Sequence, residues 1–124
     1  MPDLAMLVPM KKYWCLSPHS GGNKIPPTLY QAILKKVDAH AATRSWHTRF
    51  QLKIRFKSHF CYLDAQEFGE DLSPIGQLRY FDVDRWSLAF YTFSNETYQP
   101  CAFSNGDFFG TIEQAIDICE FYMV

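Results

Sequence analysis

The chain has 124 residues, of which 48% are hydrophobic, 17% aromatic and 20% charged; this is ample for one packed domain and leaves little room for a second. No apolar run reaches the roughly 18 residues of a membrane-spanning helix, and the apolar opening Met1–Met10 is broken by proline and followed, not preceded, by Lys11 and Lys12, the wrong order for a signal peptide. The formal net charge of −1 conceals an asymmetry: residues 1–57 hold ten Lys/Arg against two acids, a net +8, and residues 58–124 hold two Arg against eleven acids, a net −9. Such a split reads either as a basic patch or as two halves that interleave and pair their charges.

Residues 1–27 read as an irregular arm, with turn chemistry in Ser17-Pro18-His19-Ser20-Gly21-Gly22-Asn23 and a stop at Pro26-Pro27. A single α+β domain is expected over 28–124. Thr28 with Gln31 has the spacing of a capping box, and Leu29, Ile33 and Val37, joined by Tyr30, Leu34 and Ala41, predict a helix from Leu29 to about Thr43. From Arg49 to Lys57 every even position is apolar and every odd one polar, the pattern of a half-buried strand. A two-residue turn at Ser58-His59 sets Cys61, Leu63 and Ala65 beside Phe56, Ile54 and Leu52. Phe60, Tyr62 and Asp64 then fall among Lys57, Arg55 and Lys53 on the opposite face.

Phe68 to Ile75 reads as a loop, followed by strands Gln77–Asp82 and Trp86–Ser94 around a tight turn at Val83-Asp84. The second of these is apolar on both faces, so it is expected to be central or covered on both sides. A fifth strand, Tyr98–Ser104, contains Pro100 and belongs at an edge. Thr111 with Gln114 caps a closing helix whose buried stripe is Ile112, Ala115, Ile116, Cys119 and Met123. The fold class is therefore α+β: an antiparallel meander of four or five strands, flanked by an N-terminal and a C-terminal helix packed on one face.

Several strings occur together: Pro18-His19-Ser20-Gly21-Gly22, Ile25-Pro26-Pro27, Phe60-Cys61-Tyr62-Leu63-Asp64-Ala65, Leu78-Arg79-Tyr80-Phe81, Asp84-Arg85-Trp86-Ser87-Leu88-Ala89-Phe90-Tyr91 and Gly110-Thr111. In combination, from about residue 17 onward, the chain resembles a group of small uncharacterised bacterial proteins. The resemblance implies a self-contained bacterial protein and carries no activity, cofactor or site.

The leading candidate site is the basic stripe Arg49, Lys53, Arg55 and Lys57 with Phe60 and Tyr62 on the adjoining strand. Cations bind phosphates and aromatic faces stack bases, so the stripe suits single-stranded nucleic acid or an acidic protein. The plainer reading is a solvated sheet face, with Lys53 paired to Asp64 and Arg55 lying on Tyr62. The Gly-aromatic signature of an RNP strand is missing, and the closing helix carries Glu113, Asp117 and Glu120 where a double-stranded RNA-binding domain needs cations.

The alternative is a small metal-dependent nuclease or hydrolase built on Asp64, Glu67, Glu70, Asp71, Asp82 and Asp84. The acid-x-lysine of a restriction-type core has no counterpart, since no lysine follows residue 57. Cys15, Cys61, Cys101 and Cys119 are too far apart for a zinc knuckle, and Cys61 and Cys119 read as buried free thiols. Cys15 and His19 are two ligands in search of two more. His19 before Ser20-Gly21-Gly22 reads as a surface turn more readily than as a base at an anion-binding loop. No catalytic residue, metal or cofactor is assigned. The aromatic excess (Tyr80, Phe81, Trp86, Phe90, Tyr91, Phe93 and Tyr98) exceeds what one small core holds and predicts a homodimer through sheet surface. A cytoplasmic binding module is the expected outcome.

Overall fold

The computed structural model describes residues 21–124. In chain order these form α1 (Tyr30–Ala41), strands β1 (Phe50–Lys57), β2 (Phe60–Glu67), β3 (Leu72–Asp82), β4 (Arg85–Thr92) and β5 (Thr97–Cys101), and α2 (Ile112–Ile118), with short 3-10 turns at Pro27–Leu29, Ser45–Thr48 and Cys119–Met123. The strands form one antiparallel sheet in the order β1-β2-β3-β4-β5, a meander. The α+β class and both helices are as the sequence predicts. The residues of the expected arm before Gly21, including Cys15 and His19, lie outside the described residues.

The β1–β2 hairpin has the register that alternation demands. Phe56 faces Cys61, Ile54 faces Leu63 and Leu52 faces Ala65, while Lys57 faces Phe60, Arg55 faces Tyr62 and Lys53 faces Asp64. The two-residue turn is closed by Ser58 at φ 56°. A one-residue slip would exchange the two faces, so the strict polar/apolar alternation of β1 selects this pairing.

Three elements depart from expectation. The helix does not start with a Thr28 capping box: Pro27 opens a 3-10 turn, Leu29 is the N-cap, and no side chain caps it. Pro26-Pro27 supplies the fixed φ of a helical first turn, so winding begins before a Thr28 cap can act. The helix ends at Ala41, and Thr43 turns its hydroxyl back to the His40 carbonyl at 2.7 Å. The expected loop over Phe68–Ile75 shrinks to a turn, because β3 begins at Leu72. Pro74 sits opposite Asp64 at a register shift in the β2–β3 ladder, a bulge where a residue without an N–H is tolerated. β5 is displaced to Thr97–Cys101, and it is an edge strand holding Pro100 as expected.

Both helices lie on one face of the sheet. Ile33, Val37 and Ala41 of α1, and Ile112, Ala115 and Ile116 of α2, join Leu52, Cys61, Leu63, Leu78, Tyr80, Trp86 and Leu88 in one buried cluster. Trp86 is fully buried. Its indole N–H donates to the Val83 carbonyl at 3.1 Å and its ring meets Tyr80 edge-on at 5.0 Å. Gly76 is small because the C-terminal turn presses on it: a Cβ there would lie 3.2 Å from Cys119 Sγ and 3.5 Å from both Leu63 and Leu88. The Thr111–Gln114 capping box at the start of α2 is fully formed, with both reciprocal bonds present.

The charge asymmetry resolves into pairing. Lys36 meets Asp84, Arg44 meets Asp117 and Glu120, Arg49 meets Glu67 and Arg55 meets Asp64, and His40 bonds Asp117 at 2.7 Å. Each of these contacts joins the basic first part of the chain to the acidic second part. Trp46, on the 3-10 turn before β1, adds an N–H bond to Glu120 at 3.1 Å.

Candidate functional site on the helix-free sheet face

Alternation places Lys53, Arg55 and Lys57 of β1 on the face opposite the helices, with Phe60, Tyr62 and Asp64 of β2. Register carries the same face to Gln77 and Arg79 on β3, Ser87 and Ala89 on β4, and Tyr98 and Pro100 on β5. The predicted stripe is thus brought together with cations and rings from farther along the chain.

Arg55 is not a free cation. Its Nε donates to Asp64 Oδ2 at 2.6 Å and its Nη2 to Oδ1 at 3.3 Å, a two-pronged bond. Its guanidinium also lies over the Tyr62 ring, 4.6 Å from the centroid. The expected Lys53–Asp64 pair is therefore replaced: the two residues are direct cross-strand partners, but the carboxylate goes to the diagonal arginine, whose planar fork matches it. Asp64 is 5% exposed, so the bonds from Arg55 supply the compensation that a buried carboxylate needs. Tyr98 reaches across from β5 until its ring is 5.8 Å from Tyr62. Burial first, and then the Asp64 charge, hold its phenol above the ordinary value. Gln77 Nε2 donates to the Tyr62 hydroxyl at 3.1 Å.

Arg79 repeats the motif one step along. Its guanidinium lies 4.4 Å from the Phe60 centroid and donates to the Gly21 carbonyl. Sequence reading missed Arg79 and gave Tyr98 only as one of the surface rings, not as a neighbour of the basic stripe. Arg49, included in the stripe, is committed to Glu67 at 2.6 Å and lies over Phe50. Lys53 and Lys57 are exposed, and among the described residues no ion pair engages them.

The carboxylates proposed for metal chemistry are dispersed or neutralised: Asp64 by Arg55, Glu67 by Arg49 and Asp84 by Lys36. Among the described residues no three metal-ligating side chains converge. Cys61 and Cys119 are buried, and burial pushes both thiols up to about 12, which keeps them protonated and unreactive. No described helix is long and apolar enough to cross a membrane. Compared with protein-family models, curated proteins and solved structures, the chain matches none.

Proposed function

We propose that the protein is a non-enzymatic binding module of the bacterial cytoplasm and that single-stranded nucleic acid is the ligand class its helix-free sheet face fits. One observation supports the reading: on adjoining strands this face sets Lys53 and Lys57, exposed and without an ion pair among the described residues, beside Phe60 and Tyr62, each already topped by a guanidinium. Phosphates would take the β1 lysines. Bases would stack on the Arg55 and Arg79 planes, which the rings beneath hold flat. A sheet face offers no probe for a duplex groove, and stacking needs unstacked bases, so single strands are favoured.

The test is fluorescence anisotropy with short single- and double-stranded RNA and DNA at about 50 and 200 mM salt. Two phosphate contacts, one for each lysine, would weaken single-strand binding about sevenfold over that range. A Lys53→Glu/Lys57→Glu variant should lose at least tenfold at the lower salt. Absence of single-strand binding at either salt removes the reading, and a salt-dependent acidic protein would then be the partner to seek.

The proposed homodimer rests on fewer rings than the sequence suggests, since Tyr80 and Trp86 turn inward. Of the rings named there Phe93 is 55% exposed, and with Phe121, equally exposed and packed beside it on Tyr122, it forms an aromatic patch for a second copy. Light scattering that shows a monomer at high micromolar concentration removes the dimer.

A further inference from the structure

The two edges of the sheet are not equivalent. β5 ends one side with five residues, and Pro100 among them has no N–H to offer a further strand. β1 ends the other side with eight residues and no proline. The direction of its backbone groups follows from the register. The Phe68 N–H donates to the Arg49 carbonyl, so Gln51, Lys53, Arg55 and Lys57, at the same parity, bond to β2. Phe50, Leu52, Ile54 and Phe56 then direct both N–H and carbonyl outward. Among the described residues no backbone hydrogen bond engages these outward groups. Just beyond the strand the Ile25 N–H donates to the Ser58 carbonyl at 2.9 Å, which closes only the tip of the edge.

Two different surfaces flank this edge. On the helix side Tyr30 stacks on Phe56 with centroids 4.0 Å apart, which closes that end. Toward the start of the strand the same side opens into a groove of about 290 Å³ lined by Ala41, Trp46, Leu52 and Phe68, with Asp38 at its rim. On the helix-free side stand the exposed Lys53 and Lys57. An added strand lies about 4.8 Å beyond β1 and shows alternate side chains to the two surfaces. Apolar side chains suit the groove, where Asp38 opposes an acid. Acidic side chains suit the lysines. Antiparallel pairing with a second copy would set Lys53 and Lys57 of both chains together on one face, so the copy is the poorer occupant.

We infer that the β1 edge is a docking site for an extended acidic peptide segment of another protein. The segment pairs with the backbone of Leu52, Ile54 and Phe56 as a sixth strand. Its acids lie against Lys53 and Lys57, and an apolar side chain enters the groove beside Leu52. Backbone pairing supplies the affinity, and the lysines and the groove select the sequence. This does not depend on the nucleic-acid reading, and its test contains no nucleic acid.

The probes are two capped eight-residue peptides, one alternating Glu with Val and one alternating Lys with Val, each added to the full chain at up to about 1 mM. Amide exchange is followed by NMR. The Glu–Val peptide should slow exchange at Leu52, Ile54 and Phe56 about tenfold or more, and the Lys–Val peptide should leave it unchanged. Lys53→Glu/Lys57→Glu should reverse that preference. Ile54→Pro, which removes an outward N–H and leaves the β2 ladder intact, should abolish binding while the melt stays cooperative. If that variant does not fold, exchange in the unaltered protein decides alone. Unchanged exchange with the Glu–Val peptide overturns the inference, and so does an equal effect of both peptides. Slow exchange at these three amides without peptide also overturns it. Constant with protein concentration, such protection means an edge covered within the chain; rising with concentration, it assigns the edge to a second copy.

Discussion

The two faces of one sheet are held by different physics. On the helix-covered face, β2, β3 and β4 contribute Cys61, Leu63, Leu78, Trp86 and Leu88 to a continuous apolar layer, all at 1% exposure or less. On the other face the same strands contribute Asp64, Gln77, Arg79 and Ser87, and cohesion comes from Arg55 forked onto Asp64, from guanidinium planes on rings, and from Tyr62 leaning on Tyr98. Burial of an apolar side chain scales with area and tolerates rearrangement, whereas a paired carboxylate depends on one geometry. The covered face therefore carries the stability of the domain, and the other face carries its chemical individuality.

The contrast can be broken most forcefully at Trp86. Trp86→Ala empties the centre of the covered face and should cost about 3–5 kcal/mol in denaturant unfolding; a loss under about 1 kcal/mol would mean that the layer is not the main support. Next is Gly76→Ala, whose Cβ would press on Cys119 Sγ at 3.2 Å; the C-terminal turn must then lift, at about 1–3 kcal/mol. Thr111→Ala removes half of the α2 capping box and should cost about 1 kcal/mol.

A subtler test uses pH. The Arg44 hydrogen bond, with help from the Trp46 N–H and nearby positive charge, holds the Glu120 carboxyl below its ordinary 4.5. An acid lowered in the folded state contributes stability above its ordinary value, and that contribution is lost as pH falls through the lowered one. Thermal melts from about pH 5 to about pH 2 should decline, and Glu120→Gln should flatten part of that decline. The smallest effect on folding is expected at the exposed edge. Lys53→Glu/Lys57→Glu should leave unfolding within about 0.5 kcal/mol of the parent, so any change in binding there reports the surface and not the fold.

Much of this architecture was legible in the residues. The period-2 pattern of 49–57 was strict enough to set a hairpin register that the structure reproduces residue for residue, because one wet and one dry face leave a single phase. The α2 cap was legible because its box is local. The start of β3 was not, because Gly69, Glu70, Asp71 and Pro74 are loop chemistry that a bulge accommodates, and bulges depend on the partner strand. The stripe itself was legible, but its electrostatics were not. Whether Asp64 takes Lys53 or Arg55 is decided by the fit of a planar fork to a carboxylate, two residues away on the diagonal. The burial of Ser87 and Ala89 agrees with the expectation that their strand is central or covered on both sides, read from hydrophobicity alone; the strand lies inside the sheet, between two neighbours.

The pairing of the basic and acidic parts of the chain has a consequence for how the protein is made. His40 bonds Asp117, and Arg44 bonds Glu120, across 77 and 76 residues of sequence. A ribosome therefore releases α1 and β1 as a cationic nascent segment, next to a polyanionic ribosomal surface, before most of their neutralising partners exist. α1 cannot complete its packing until α2 has emerged. Docking of the closing helix is then the step that both seals the apolar layer and discharges the early segment, so the domain completes its fold only once α2 has left the exit tunnel.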